Sequence, residues 1–233
     1  MTKQISPDVI KLRTLLVKFE TNLRSWEVPA FRGAIIEKIG RENVLFNHHL
    51  SNKDYLYKYP LVQYKSISNQ PAILCLGEAI DEIHKLFNKS NWDIKLMGDN
   101  VELIIDKLDL GNFTLQVFER VKEYNLQNWL GLNESNFKTY IRLSNDIDKT
   151  QMLEKIIVGN ILSFAKGVNW RIEEKIKVRI QRIKKVKQLK YKDTHLMAFN
   201  LDFISNVALP EFIGLGKGAS HGYGMLSFNE NKY

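Results

Sequence analysis

Two kinds of apolar periodicity alternate along this chain, and they do so twice, which confines it to folds that interleave strands with helices. From Val9 to Phe19 apolar and β-branched residues suit a strand. Pro29 then stands where a first helical turn accepts it. Phe31, Ile35, Ile36 and Ile39 follow at helical spacing and Gly40 supplies a stop, so the pattern predicts a helix over Val28 to Ile39. After Val44 to Phe46 comes a polar connection. Beyond it Tyr55 to Ser66 and Ala72 to Leu76 read as strands, Glu78 to Phe87 as an amphipathic helix, and Trp92 to Asp106 as further β structure.

The second half repeats the order less regularly. Phe113 to Val121 and a segment near Trp129 read as strands, Thr150 to Phe164 as a helix, then a basic strand, Leu196 to Ile204, and a last strand from Tyr223 to Phe228. The economical reading is α+β: two tandem ferredoxin-like βαββαβ domains, residues 1–109 and 110–233. A chain of 233 residues has room for both.

Charge is concentrated rather than spread. The chain carries +8, from 34 Lys and Arg against 26 Asp and Glu, with pI near 9.4. Lys175, Lys177, Arg179, Arg182, Lys184, Lys185, Lys187, Lys190 and Lys192 fall in one segment without an acid. That segment alone holds +9, so the remainder sums to −1. A nearly neutral body with one basic element is the footprint of a protein that binds a polyanion. Ile176, Val178 and Ile180 alternate with Lys175, Lys177 and Arg179, as in a strand with an apolar core face and a cationic outer face. The alternation breaks after Arg182, so Arg182 to Lys187 is either a turn or an extended hairpin arm whose positive tip enters a nucleic-acid groove.

The lone cysteine, Cys75, cannot form an internal disulfide and sits in the apolar run Ala72 to Leu76, as a core residue would. Lys3, Asp8, Lys11 and Arg13 interrupt the apolar residues of the first sixteen positions, so no secretory core is expected, and the cytoplasm is the expected compartment. No stretch approaches the roughly 18 consecutive apolar residues of a membrane helix, and no membrane partner is expected. Five histidines, His48, His49, His84, His195 and His221, occur without the spacing of metal ligands, so neither a metal nor another cofactor is expected.

The most specific local signal lies near the C-terminus, in Gly214-Leu-Gly216-Lys-Gly-Ala-Ser-His-Gly222-Tyr-Gly224. Such a loop lets backbone N–H groups approach a phosphate, with Lys217, Ser220 and His221 as further donors. A P-loop or a dinucleotide motif would have to open a helix, and only nine residues follow Gly224. The plainer alternative is a glycine-rich turn ahead of a final strand.

This spacing, Gly-hydrophobic-Gly, five residues, Gly-hydrophobic-Gly, resembles the signature loop of the CRISPR repeat-associated (RAMP) proteins. Within them the chain is similar to the endoribonucleases that cut CRISPR precursor RNA inside each repeat, in particular the branch found with type I-B systems. Arg32-Gly33-Ala34-Ile35 opening the first helix, Asn47-His48-His49 after it, and Tyr59-Pro60-Leu61-Val62-Gln63-Tyr64-Lys65 carry the resemblance beyond the glycines. The resemblance implies two ferredoxin-like folds and metal-independent cleavage by the ribose 2′-hydroxyl, leaving 2′,3′-cyclic phosphate and 5′-hydroxyl ends. It implies CRISPR repeat RNA as the partner, with effector-complex subunits and a second copy of the chain as protein partners left open.

That reaction needs a general base, a general acid and a donor for the charged transition state. His48 and His49 follow the first helix, where the family places its catalytic histidine, and histidine titrates near neutrality. In an extended segment the two point to opposite faces, so one of them is expected at the phosphate. Tyr55, Tyr59 and Lys53 are the further catalytic candidates, with Lys58 and Lys65 available to hold phosphate; Tyr55, Tyr57 and Tyr59 would share one strand face. The RNA-binding candidates are Lys175, Lys177, Arg179, Arg182, Lys184 and Lys185 of the basic element, and Gly214, Gly216, Lys217, Ser220, His221, Gly222 and Gly224 of the loop. The competing reading from the same residues is a noncatalytic RNA-binding subunit of an effector complex.

Overall fold

A computed structural model describes residues 9–47 and 59–228, so His48, His49, Lys53 and Tyr55 lie outside the described residues. Two compact units divide between Phe113 and Thr114, and Ser220–Gly222 belong with the N-terminal one.

The N-terminal unit runs β1 (Ile10–Phe19), α1 (Val28–Ile39), a single turn α2 (Val44–Asn47), β2 (Val62–Ile67), β3 (Gln70–Leu76), a 3₁₀ stretch Gly77–Ile83 leading into α3 (His84–Phe87), the small hairpin β4 (Asp93–Leu96) and β5 (Asp99–Glu102), and β6 (Ile105–Leu115). Its sheet has the order β2-β3-β1-β6, the arrangement of a ferredoxin-like βαββαβ unit. Leu15, Val17 and Phe19 of β1 alternate into the core, where Phe31 from α1 meets Phe19 edge-on at 6.0 Å and Tyr64 of β2 at 5.9 Å. Each such side chain gains about 1.5–3 kcal/mol from burial. α1 ends as its sequence predicts, with Gly40 at φ +104° donating its N–H to Ile36.

Two expectations change here. The predicted helix over Glu78 to Phe87 is mostly 3₁₀, and Ile80, Ile83 and Leu86, all buried, recur every three residues, the repeat of a 3₁₀ turn and not of an α-helix. Of the strand expected from Tyr55 to Ser66, the described part is β2 from Val62; Tyr59 to Leu61 are not in it, because Pro60 has no N–H for a ladder and its carbonyl accepts from the Gln63 side chain at 3.0 Å, and Tyr55 to Lys58 lie outside the described residues. Cys75 is fully buried, and that burial pushes its thiol up to about 12.

The C-terminal unit contains β7 (Val117–Trp129), α4 (Glu134–Arg142), α5 (Asp146–Gly167), β8 (Val178–Tyr191), β9 (Thr194–Val207) and β10 (Met225–Phe228), in sheet order β10-β7-β9-β8. The order is again ferredoxin-like, but the second crossover carries no α-helix: the glycine-rich loop occupies it, with one 3₁₀ turn at Ala219–His221. The two strands expected around Val121 and Trp129 are one long β7, and Phe113 belongs to β6. α5 exceeds its expected range at both ends. It is capped by Asn145, whose Oδ1 accepts from the Asp148 N–H at 2.7 Å. α4 is an addition to the expected elements: Phe137, Tyr140 and Ile141 fall at helical spacing, Tyr140 meets Phe199 edge-on at 5.8 Å, and the Asn133 side chain caps the helix by accepting from the Asn136 N–H at 2.7 Å. Among the described residues no helix is long and apolar enough to cross a membrane.

Candidate nucleic-acid interface

The basic segment is a strand arm, and its broken periodicity has a physical cause. The apolar residues Val178, Ile180, Ile183 and Val186 are spaced two, three and three apart, yet they pair with Ser205, Phe203, Leu201 and Phe199 of β9, which are evenly two apart. Two single-residue bulges, one at Gln181 and one at Lys184, absorb the difference. Each bulge restores the phase that the sequence loses. Directly opposed residues share a face, so Arg179, Arg182, Lys185 and Lys187 all lie with Ile204, Asp202, Asn200 and Ala198 on the other face of the hairpin. Partners two residues apart put these cations about 7 Å from one another along the strand. Glu154 of α5 pins the arm at the first bulge, accepting from the Ile180 N–H at 2.9 Å.

Lys175 and Lys177 are not in the strand, contrary to expectation. They precede it, and Asn206 holds their backbone, donating to the Lys175 carbonyl at 3.0 Å and accepting from the Lys177 N–H at 2.7 Å. The expected core partners Ile176, Val178 and Ile180 are half-buried. Two further cations are partly neutralised by an acid twenty residues away in sequence. Asp202 on β9 receives Lys184 Nζ at 2.7 Å and Arg182 Nη2 at 3.2 Å. Burial pushes that carboxyl up, and hydrogen bonds from Lys184, Asn125 and Arg182 outweigh it and hold it below the usual carboxylate range. Lys187 behaves oppositely: burial and then the neighbouring charge of Lys185 hold it below the ordinary lysine range. Crowded like charges of this kind are relieved by an incoming anion.

The glycine loop closes the same unit. Tyr191 falls on the cationic face of the hairpin, and Lys217 sets its ammonium 5.3 Å from the Tyr191 ring centre, lengthening the row. Tyr223 meets Tyr191 edge-on at 5.5 Å and donates to the Lys190 carbonyl at 2.9 Å. The loop's backbone is less available than its composition suggests. The N–H groups of Leu215, Lys217, Tyr223 and Gly224 go to Gly224, Leu130, Gly218 and Asn128 within the unit. Several glycines answer to packing instead. A Cβ on Gly214 would stand 2.7 Å from Ala219 Cα, and one on Gly224 would stand 1.9 Å from the Leu215 carbonyl oxygen. Ser220 Oγ and His221 Nδ1 are 3.0 Å apart. Beside Lys217, His195 and Phe137 help to line a cavity of about 390 Å³ next to the start of α4.

In the N-terminal unit Tyr59 is buried and its hydroxyl accepts from Gln63 Nε2 at 2.9 Å. Lys65, fully buried two residues further along β2, is pushed down to about 7 by that burial. Lys65 was expected to be available to hold phosphate, and its full burial takes it away from the surface where a phosphate would bind, whereas Lys58 lies outside the described residues. Among the described residues no group of three or more His, Cys, Asp or Glu converges as metal ligands.

Solved structures share this architecture. A crystal structure of Cas6b superposes with a TM-score of 0.84 at 24% identity, covering 94% of this chain and all of that one. A crystal structure of the CRISPR RNA processing endoribonuclease Cas6b gives 0.70 at 22% identity, again over 94% of this chain and all of the other. At these identities the likeness is one of fold. An uncharacterised protein of Methanocaldococcus jannaschii is 37% identical over 98 residues, which is 42% of this chain and 65% of that relative's length. The family models divide the chain as its sheets do, the Cas6b N-terminal domain matching residues 10–114 and the Cas6b C-terminal domain residues 116–228, and the chain belongs to the Cas6b family.

Proposed function

We propose that this protein is an endoribonuclease that cuts CRISPR precursor RNA within its repeats, in the cytoplasm and without a metal ion. The observation that carries the reading is membership of one family along nearly the whole chain, and the name CRISPR RNA processing endoribonuclease borne by a protein of the same fold supports it. The cationic face Arg179, Arg182, Lys185 and Lys187 supports an RNA partner, because it is a continuous row on one side of an exposed arm. A second copy of the chain and effector-complex subunits are the protein partners the reading admits.

The chemistry is transesterification. The ribose 2′-oxygen attacks the adjacent phosphorus, the bond from phosphorus to the 5′-oxygen breaks, and the products are a 2′,3′-cyclic phosphate and a 5′-hydroxyl. A base takes the 2′ proton and an acid returns one to the leaving oxygen. In this reading the N-terminal domain supplies these groups from His48 or His49, with Tyr55, Tyr59 and Lys53 as their partners, and the C-terminal domain holds the RNA through the hairpin and the loop. Adjacent histidines give a sharp test. Replacing the acting one by Ala slows single-turnover cleavage by about 10² to 10⁴ with RNA affinity unchanged, while the other replacement has little effect. Small and equal losses from His48→Ala and His49→Ala would contradict the assignment and favour a noncatalytic RNA-binding subunit.

A further inference from the structure

Trp26 stands apart from the other tryptophans. Trp129 and Trp170 are buried, and Trp92 is half-buried against Phe87, but Trp26 is 68% exposed. Its neighbours do not explain the exposure as slackness. Trp26 sits in a 3₁₀ turn, Ser25–Glu27, set between Leu23 and Val28, both essentially fully buried. The turn is fastened at each side. Leu23 donates its N–H to the Asn69 carbonyl at 2.7 Å and accepts from Ser66 Oγ at 2.6 Å. The Glu27 carboxylate receives the Arg24 N–H at 2.7 Å, and the Arg24 carbonyl receives the Glu27 N–H at 2.9 Å. A rigid backbone therefore presents a large aromatic ring to solvent. The Arg24 guanidinium lies 5.3 Å from the ring centre, which commits one ring face to a cation.

A planar ring held open with a guanidinium 5.3 Å from its centre makes up the chemistry that grips an unpaired nucleotide: the base stacks, and the cation holds the neighbouring phosphate. We propose that Trp26, with Arg24, is the stacking platform for an unpaired base of bound RNA. The proposal rests on the RNA reading given above and adds to it the residue that selects single-stranded over paired RNA. A paired base has both faces occupied within its own helix, so the platform offers it nothing.

The test uses the full chain, a labelled 20-nucleotide single-stranded oligoribonucleotide and the same strand fully paired, each read by fluorescence anisotropy. Trp26→Ala weakens single-strand binding about fivefold to a hundredfold and leaves duplex binding alone, and Trp26→Phe keeps most of the single-strand affinity. Intrinsic tryptophan fluorescence of the wild type is quenched by the single strand, and Trp26→Phe abolishes the quench. If Trp26→Ala binds the single strand as the wild type does while Lys175→Ala/Lys177→Ala binds it more weakly, the platform is refuted and the RNA reading stands. Absence of binding by the wild type to either probe overturns both. A wild-type dimer in sedimentation that Trp26→Ala dissociates, with RNA affinity unchanged, identifies the ring as a protein contact and refutes the proposal.

Discussion

The indole N–H of Trp129 donates to the side-chain oxygen of Asn160 at 2.9 Å, tying the end of β7 to α5 at the spot where the glycine loop passes. Gly216 lies against this pair: a Cβ there would stand 2.8 Å from the indole nitrogen and 3.1 Å from the Asn160 oxygen, on a backbone with φ +80°. The glycine is required by packing and by conformation, apart from any phosphate. Gly216→Val is expected to cost about 2–4 kcal/mol of stability in urea unfolding, from left-handed strain and overpacking together. Gly159→Ala, in the interior of α5 with open space at its Cβ, is expected to gain about 0.5–1 kcal/mol. If Gly216→Val keeps wild-type stability and loses only RNA affinity, the loop acts as a phosphate cradle first.

Asp202 restrains two of the cations on the basic arm. Asp202→Asn frees Arg182 and Lys184 and removes a negative charge from beneath the cationic row, at a stability cost of about 1–2 kcal/mol for the lost charged hydrogen bonds. Affinity for RNA at low salt is expected to rise severalfold. The slope of log affinity against log salt should steepen by about 0.7–0.9 for each newly engaged phosphate. An unchanged slope would place the RNA elsewhere than on this face.

The sequence made the first domain legible where a single local rule sufficed. α1 was bounded by Pro29 and Gly40, and its stripe of Phe31, Ile35 and Ile39 packs as periodicity requires. The hairpin arm was harder. Its apolar residues fall out of phase at Ile183 and Val186, and only the even spacing of their partners on β9 reveals two bulges in place of a turn. Lys187 was missed as a member of the cationic row for that reason. Asp202 could not be anticipated at all, because pairing across strands brings it to Arg182 and no local pattern encodes that meeting. The catalytic candidates His48 and His49 rest on the resemblance alone, since they lie outside the described residues.

Buried Lys65 gives a pH dependence with a definite sign. Its folded value is about 7 and its usual value 10.5, so between these the unfolded chain retains a proton that the folded chain has released. Stability therefore rises with pH from about 7 to about 10 through this group and is insensitive to it below 7, with a slope of at most about 1.4 kcal/mol per pH unit. Lys65→Met, which keeps the apolar stem, removes the slope. Urea unfolding at pH 7 and pH 9.5 should show the difference between the variant and the wild type shifting by about 3 kcal/mol in favour of the wild type at the higher pH. An equal difference at both pH values would mean that Lys65 is charged throughout.

In the proposed reaction an RNA hydroxyl, unaided by metal, cuts its own backbone while this protein moves the protons. It is tested by incubating the protein in EDTA with end-labelled repeat RNA, beside the same RNA carrying one 2′-deoxy nucleotide at the cut position. Unimpaired cleavage of the first is expected, with a cyclic phosphate on the upstream product, and intact but still bound RNA in the second. Cleavage that requires added Mg²⁺ or Mn²⁺, or that proceeds on the deoxy substrate, would contradict it.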